Sequence, residues 1–314
     1  ECGCHTHPNL AVLLAAALAR LAPLRARIGG AIAAEVAKSS AGRAFVKLST
    51  RSPKDSKKAL VRAKRAYEAR LQALAPPLAG SEIAPANERW KILCDEVTKA
   101  GSVANADEAM ELLLDSARVY EDLEYALRGP SVLSGAEQQG ESEGGGEGRG
   151  EKKEHEAVWR TCLCTRAWDP RLPPQSEFRG IVWGGKLTCL CQYFHPLWFP
   201  ELAPLRDTIL ADVQATFASA KASAAIARLG GHCIVDFAWL GPGQQTIIIE
   251  LNPFDGVCLG TFPASTGLFL WDKPSDRKIM KGEAEFEFRL RDAPLDEAAL
   301  KNQCNSDWRD IVYP

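Results

Sequence analysis

At 314 residues, 46% hydrophobic and 25% charged, the chain has a composition that suits one large globular domain or two lobes around a shared cleft. Lys and Arg number 38 against 40 Asp and Glu, a formal charge of -2 that excludes a global basic field for nucleic acid or an anionic membrane. Ten cysteines are too few for a disulfide scaffold, and their grouping as Cys2/Cys4, Cys162/Cys164 and Cys189/Cys191 points to a reducing, cytoplasmic compartment. No membrane helix is expected: Leu10 to Ala19 is too short, and Gly256 to Trp271 is interrupted by Pro263 and glycines.

The chain opens on Glu1, as a fragment or a processed product would. Leu10 to Leu18, followed by Arg20, Arg25 and Arg27, reads as an amphipathic helix rather than a targeting remnant, because no basic region precedes it. Residues 10–40 have a helix-forming Ala/Leu-rich composition. Ala44 to Leu48 is a short apolar strand, and the polar loop Ser49 to Asp55 follows, with Pro53 stopping the strand. Ser56 to Ala75 is the next helix, ended by Pro76-Pro77. Asn105 with Glu108 forms a capping box for a helix running to Gly129-Pro130, its apolar face carrying Met110, Leu113, Leu114, Ala117 and Tyr120.

Residues 134–153 are almost wholly Gly, Glu, Ser, Gln, Lys and Arg and lack the apolar side chains needed to order a segment. Strands dominate after it. Glu177 to Trp183 and Lys186 to Cys191 flank Gly184-Gly185, a two-residue hairpin signal because both turn positions need positive φ. Leu205 to Leu229 is read as one long helix closed by Gly230-Gly231. Cys233 to Leu240 and Gln245 to Leu251 pair around Gly241-Pro242-Gly243, which makes the fold α+β with antiparallel sheets and no internal repeat.

That second hairpin carries the chemistry. Asp236 and Glu250 each interrupt an apolar strand, and they lie equidistant from the middle of the turn, so the register sets them opposite one another. A buried carboxylate needs a cation or several donors, and two facing acids repel unless a cation lies between them. Asn252, two residues beyond Glu250, adds a neutral oxygen on the same face. Two carboxylates and an amide oxygen suit Mg²⁺; the alternative is that Asp236 caps a strand end while Glu250 pairs with an arginine.

The run Phe45 to Asp55, then Glu177-Phe178-Arg179, then Val235-Asp236-Phe237 with Ile249 to Phe254, resembles the cell division cycle protein 123 family. Ser116 to Leu123 and Leu268 to Trp271 resemble two further family segments, and the resemblance covers about Ala44 to Leu290. It implies an ATP-grasp-like fold that binds ATP and Mg²⁺, and a role as assembly factor for translation initiation factor 2 through its gamma subunit. Residue by residue, it implies that Lys47 reaches the phosphates, with Ser49, Ser52 and Lys54 in the phosphate-covering loop. Ala157 to Arg160 resembles the strand that hinges the lobes, so backbone groups there, Trp159 included, would hydrogen-bond adenine and Arg160 would face the cleft, while Arg179 and Gln192 line the site. Asp236, Glu250 and Asn252 would hold the metal. The sequence departs from the family in having Glu250 where Asp is usual, Ser49-Thr50-Arg51-Ser52 where the loop is usually Asn-Trp-Ser-Ala, and an unfamiliar Ala-rich start.

The expected organisation is therefore 1–133, a helical region and the lysine-bearing lobe; 134–153, an insertion; and 154–314, the lobe with the metal-binding hairpin. An ATP-grasp ligase or kinase, activating a carboxylate or hydroxyl by phosphoryl transfer, is the alternative to the assembly factor. Arg179 could also form a cross-strand ion pair. The cysteine pairs could build a tetrahedral zinc site, against their ordinary role as small buried hydrophobes, and Cys2, Cys4, His5 and His7 form a metal-like terminal cluster. His195 and His232 have no assigned role.

Overall fold

The computed structural model describes residues 8–78, 85–128, 161–254, 265–304 and 306–313. Residues 134–153, Trp159, Arg160 and the terminal Cys/His cluster lie outside these ranges. The described chain forms helices and two sheets divided between two compact units, Glu1–Ala63 with Val97–Trp168 and Lys64–Glu96 with Asp169–Pro314. No helix among the described residues is long and apolar enough to cross a membrane.

The first unit contains α1 (Pro8–Val36), β1 (Ala44–Leu48), the first turns of α2 (Lys57–Leu78) and the end of α3 (Ala86–Ala100). It continues with β2 (Ser102–Val103), α4 (Ala106–Leu114), α5 (Ala117–Arg128) and β3 (Leu163–Ala167). β1 is central, antiparallel to β2 and β3. Alternation along β1 sends Ala44, Val46 and Leu48 into a core with Ile28, Ile32, Leu112 and Val119. Lys47 and Phe45 consequently face the other way.

Two helix boundaries among these elements differ from the sequence-based expectation. The capping box forms, with Asn105 Oδ1 accepting from the Asp107 and Glu108 amides at 3.0 Å, but α4 stops at Leu114. Asp115 and Ser116 are spent on other helix ends. Asp115 accepts from the Lys58 amide at 2.8 Å, near the start of α2, and Ser116 Oγ accepts from the Val119 amide at 3.2 Å, near the start of α5. The break resets the helical phase, so Ala109, Leu112, Leu113 and Val119 are buried while Leu114 and Tyr120 are 64% and 66% exposed. α2 itself runs to Leu78, with Pro76 and Pro77 inside its last turn, where little helix remains to be disturbed.

The second unit is built on β4 (Glu177–Trp183), β5 (Lys186–Gln192), β6 (Cys233–Ala238), β7 (Ile247–Pro253) and β8 (Glu287–Arg289), in the order β7-β6-β4-β5-β8. The β4–β5 and β6–β7 hairpins are antiparallel as expected, whereas β8 joins β5 in parallel and makes this sheet mixed. Gly184 and Gly185 turn with φ of 57° and 76°, values that tolerate no Cβ cheaply. The expected long helix is two, α6 (Arg206–Phe217) and α7 (Ala220–Arg228), because Ser219 Oγ accepts from the Ala222 amide and starts a new helix.

α6 meets one face of the sheet, where Arg206 lies over Phe288 and Phe288 packs edge-on against Phe178. α8 (Pro274–Met280) covers the other, packing Ile279 and Met280 against Ile181, Cys189 and Ile234. α9 (Glu297–Gln303) and α10 (Ser306–Val312) end the chain, and Trp90 donates to the Tyr313 hydroxyl at 3.2 Å.

Candidate functional site

The five-stranded sheet aligns charged residues into a row. Asp236 on β6 is paired with Glu250 on β7 and with Arg179 on β4; Arg179 is paired with Cys191 on β5, and Cys191 with Arg289 on β8. Directly paired residues share a face, so all five belong to the side covered by α8. The register puts Asp236 opposite Glu250, as the sequence implies, with an irregularity immediately after Asp236.

Asp236 is 1% exposed on a strand whose every residue is buried, so its carboxylate needs strong partners. Arg179 supplies them: Nε donates to Oδ1 and Nη2 to Oδ2, both at 2.8 Å, a bidentate ion pair. Arg179 is held in turn by its Nη1 bond to the Ser265 carbonyl at 2.6 Å and by stacking 4.7 Å from the Tyr193 ring centre. Burial works against the guanidinium charge, yet the bonds and charge of Asp236 outweigh it and raise the Arg179 pKa further. The cation facing Asp236 is therefore an arginine of the same sheet.

Asn252 joins the two acids. Its Nδ2 lies 3.2 Å from Asp236 Oδ2 and 3.4 Å from Glu250 Oε1, so one small polar group reaches both carboxylates. A half-turn of the amide would present Oδ1 to the same spot, giving a metal three protein oxygens of the hard type that Mg²⁺ prefers. The residues present thus fit a magnesium ion, with Arg179 already neutralising one of the two carboxylates.

Beside this row, Asp276 on α8 is bound through both oxygens by Arg289, at 2.9 and 3.1 Å, and accepts from the Leu270 amide at 3.0 Å. These bonds fix residues 265–270 over the sheet, where Thr266 and Ser265 meet Cys191 and Arg179. Burial pushes the Cys191 thiol up to about 11, which leaves it protonated and unreactive at neutral pH.

The other expected site residues sit differently. Gln192 is paired with Phe178, one residue out of phase with Arg179, and so faces the opposite side of the sheet. Its Nε2 is bound to the Phe194 and Leu197 carbonyls and its Oε1 accepts from the Arg291 amide at 2.7 Å, so its side chain anchors backbone. Lys47, Ser49, Ser52 and Lys54 belong to the first unit. Lys47 is half-buried and shares a sheet face with Phe45, Cys164 and Arg166. Ser49 bonds with Cys162 through its amide and hydroxyl, Ser52 is buried, and Lys54 is exposed. The loop is tied to α5: Thr50 and Arg51 both bond to Asp122, and Asp55 accepts from the Arg118 amide at 3.0 Å. The opposite, core face of that sheet carries an apolar groove of about 720 Å³ lined by Leu24, Leu48, Leu113 and Leu163, unsuited to phosphate.

No group of three or more metal-binding side chains forms among the described His, Cys, Asp and Glu residues. Cys164 lies on the first unit's sheet and Cys189 and Cys191 on the second unit's. His195 is largely buried, and His232 meets Trp183 edge-on with ring centres 4.4 Å apart. The cross-strand ion pair open to Arg179 forms, with a partner, Asp236, that the sequence does not name, and the sequence gives no sign of Tyr193, Ser265, Asp276 or Arg289. A hairpin turn reveals its own register, but β4 pairs with β6 across more than fifty residues, and no local signal carries that pairing.

An α+β architecture with this charged row defines a class of fold without naming a reaction. A family model for D123 matches residues 85–307, and the chain belongs to this family, the cell division cycle protein 123 family that its motifs resemble. Solved structures similar to it include Cdc123 from Schizosaccharomyces pombe, 18% identical over 80% of this chain and 72% of that one, with a TM-score of 0.45. The C-terminally truncated Cdc123 of the same organism is 19% identical over 80% of this chain and 73% of that one, with a TM-score of 0.44. No curated protein matches the chain.

Proposed function

We propose that the chain binds ATP with Mg²⁺ in an ATP-grasp-like manner at the Asp236–Glu250–Asn252 face, and that it acts in the cytoplasm as an assembly factor for translation initiation factor 2 through the gamma subunit. The observation that carries the nucleotide reading is the convergence of two carboxylates on one Asn252 amide group, at 3.2 and 3.4 Å. Such a cluster is poorly suited to a purely apolar core and well suited to a hard divalent cation. Asp236, Glu250 and Asn252 would hold the magnesium ion, which would supply positive charge for the nucleotide phosphates. Membership of the D123 family supports the assembly role.

Thermal unfolding with and without Mg·ATP tests the first part, since a ligand bound only to the native state stabilises it by about 2.7 kcal/mol at a hundredfold excess over Kd. Glu250→Gln and Asn252→Ala should lose most of that gain. An unchanged Tm at millimolar Mg·ATP would refute nucleotide binding. Calorimetric titration with the gamma subunit tests the second part, and absence of heat with ATP present would refute it. Rapid ATP turnover with a small acceptor would instead favour a ligase or kinase.

A further inference from the structure

Asp236 offers both carboxylate oxygens to Arg179 at 2.8 Å, and Oδ2 also receives Asn252 at 3.2 Å. Arg179 has little freedom to withdraw. Its side chain is 11% exposed, its third nitrogen holds the Ser265 carbonyl at 2.6 Å, and its plane is stacked 4.7 Å from the Tyr193 ring centre. The register also sets it between Asp236 and Cys191 within the sheet.

A magnesium ion held by Asp236 would share that carboxylate with a guanidinium that stays where it is. Two positive centres would then repel each other beside a carboxylate that is only 1% exposed. Polyphosphate oxygens arriving with the metal change this balance, because they supply the negative charge that Arg179 has already withdrawn from Asp236.

We propose that Arg179 is a positioning residue that makes metal binding at this face contingent on nucleotide, so that the site takes a metal–polyphosphate complex and rejects the bare divalent ion. The same pair keeps the ligand-free site neutralised and ordered, with no metal needed to relieve repulsion between Asp236 and Glu250. This inference rests on the reading of Asp236, Glu250 and Asn252 as a magnesium–nucleotide site.

The test uses Mn²⁺ as the probe and reads protein-bound metal by water-proton relaxation enhancement, with and without a non-hydrolysable ATP analogue. The unaltered protein should bind Mn²⁺ about tenfold or more tightly with the analogue than without it. Arg179→Gln should gain about the same factor for Mn²⁺ alone, while Arg179→Lys, which keeps the charge, should resemble the unaltered protein. A merely structural arginine would give no such gain in affinity.

The unaltered protein binding Mn²⁺ equally well in both conditions would overturn the proposal, and needs no variant to fold. So would a folded Arg179→Gln variant whose nucleotide-free affinity is unchanged. Failure of the unaltered protein to bind Mn²⁺ in either condition would instead remove the nucleotide site itself, and the inference with it.

Discussion

Arg179 and Asp236 face each other on adjacent strands, each carboxylate oxygen 2.8 Å from a guanidinium nitrogen, at side-chain exposures of 11% and 2%. Two facing acids that only repelled each other would leave the ligand-free protein no less stable when one was truncated. The arginine reverses that expectation, because Asp236→Ala strands a buried guanidinium. Removing one member of a buried pair costs about 3–5 kcal/mol, whereas replacing both by apolar residues of similar volume is often nearly neutral. Urea unfolding should therefore show a large loss for Asp236→Ala and partial recovery in Arg179→Met/Asp236→Leu. An Asp236→Ala midpoint equal to that of the unaltered protein would show that the pair contributes nothing.

Gly267 provides a test of how residues 265–270 dock on the sheet. It adopts φ of +70°, and a Cβ there would lie 2.5 Å from Cys191 Sγ, inside any real contact distance. Gly267→Ala should cost the left-handed strain of about 1–2 kcal/mol plus an overpacking term of about 1–3 kcal/mol. Cys191→Ala removes the sulfur, so the double variant should be more stable than the two single losses added together predict. Strict additivity in a denaturant cycle would show that the segment does not sit on Cys191.

His195 predicts a pH dependence. Burial lowers its pKa below the usual 6.5; a hydrogen bond with the Tyr193 backbone opposes this, and the nearby charges of Arg291 and Arg179 add to the lowering. The unfolded chain therefore binds more protons than the folded one between the two values. Stability from the neutral imidazole is full above about pH 6.5 and declines as pH falls toward the lower folded value. A Tm series from pH 8 to 5 should fall more steeply for the unaltered protein than for His195→Gln. Parallel curves would exclude His195 as the source.

The legible parts of this fold are those whose signals are local. β1, both hairpins, the positive-φ glycines and the opposition of Asp236 to Glu250 follow from alternation and turn chemistry within short windows. What could not be read is set by distant contacts. Asp115 and Ser116 would continue a helix on propensity alone, and the chain breaks there because α2 and α5 need their caps. Gln192 shares a strand with Cys191 yet serves the opposite face, fixed by its pairing with Phe178. Arg179 meets Asp236 through sheet order, and sheet order is a property of the whole core.

The loop after β1 gives the last prediction. Thr50 and Arg51 converge on Asp122 of α5, Arg51 Nε at 2.7 Å from Oδ1, and Arg51 also reaches Glu121 at 3.0 Å. Asp122 is 11% exposed and Arg51 36%, so water screens part of the attraction and the pair contributes well under the value of a fully buried one. Asp122→Ala should lower global stability by about 1 kcal/mol, yet it removes two of the ties that hold residues 49–55. Hydrogen exchange should therefore speed up in that loop by about tenfold or more, while amides of the β4–β6 core keep their protection. Unchanged exchange across residues 49–55 would show that the loop does not owe its order to Asp122.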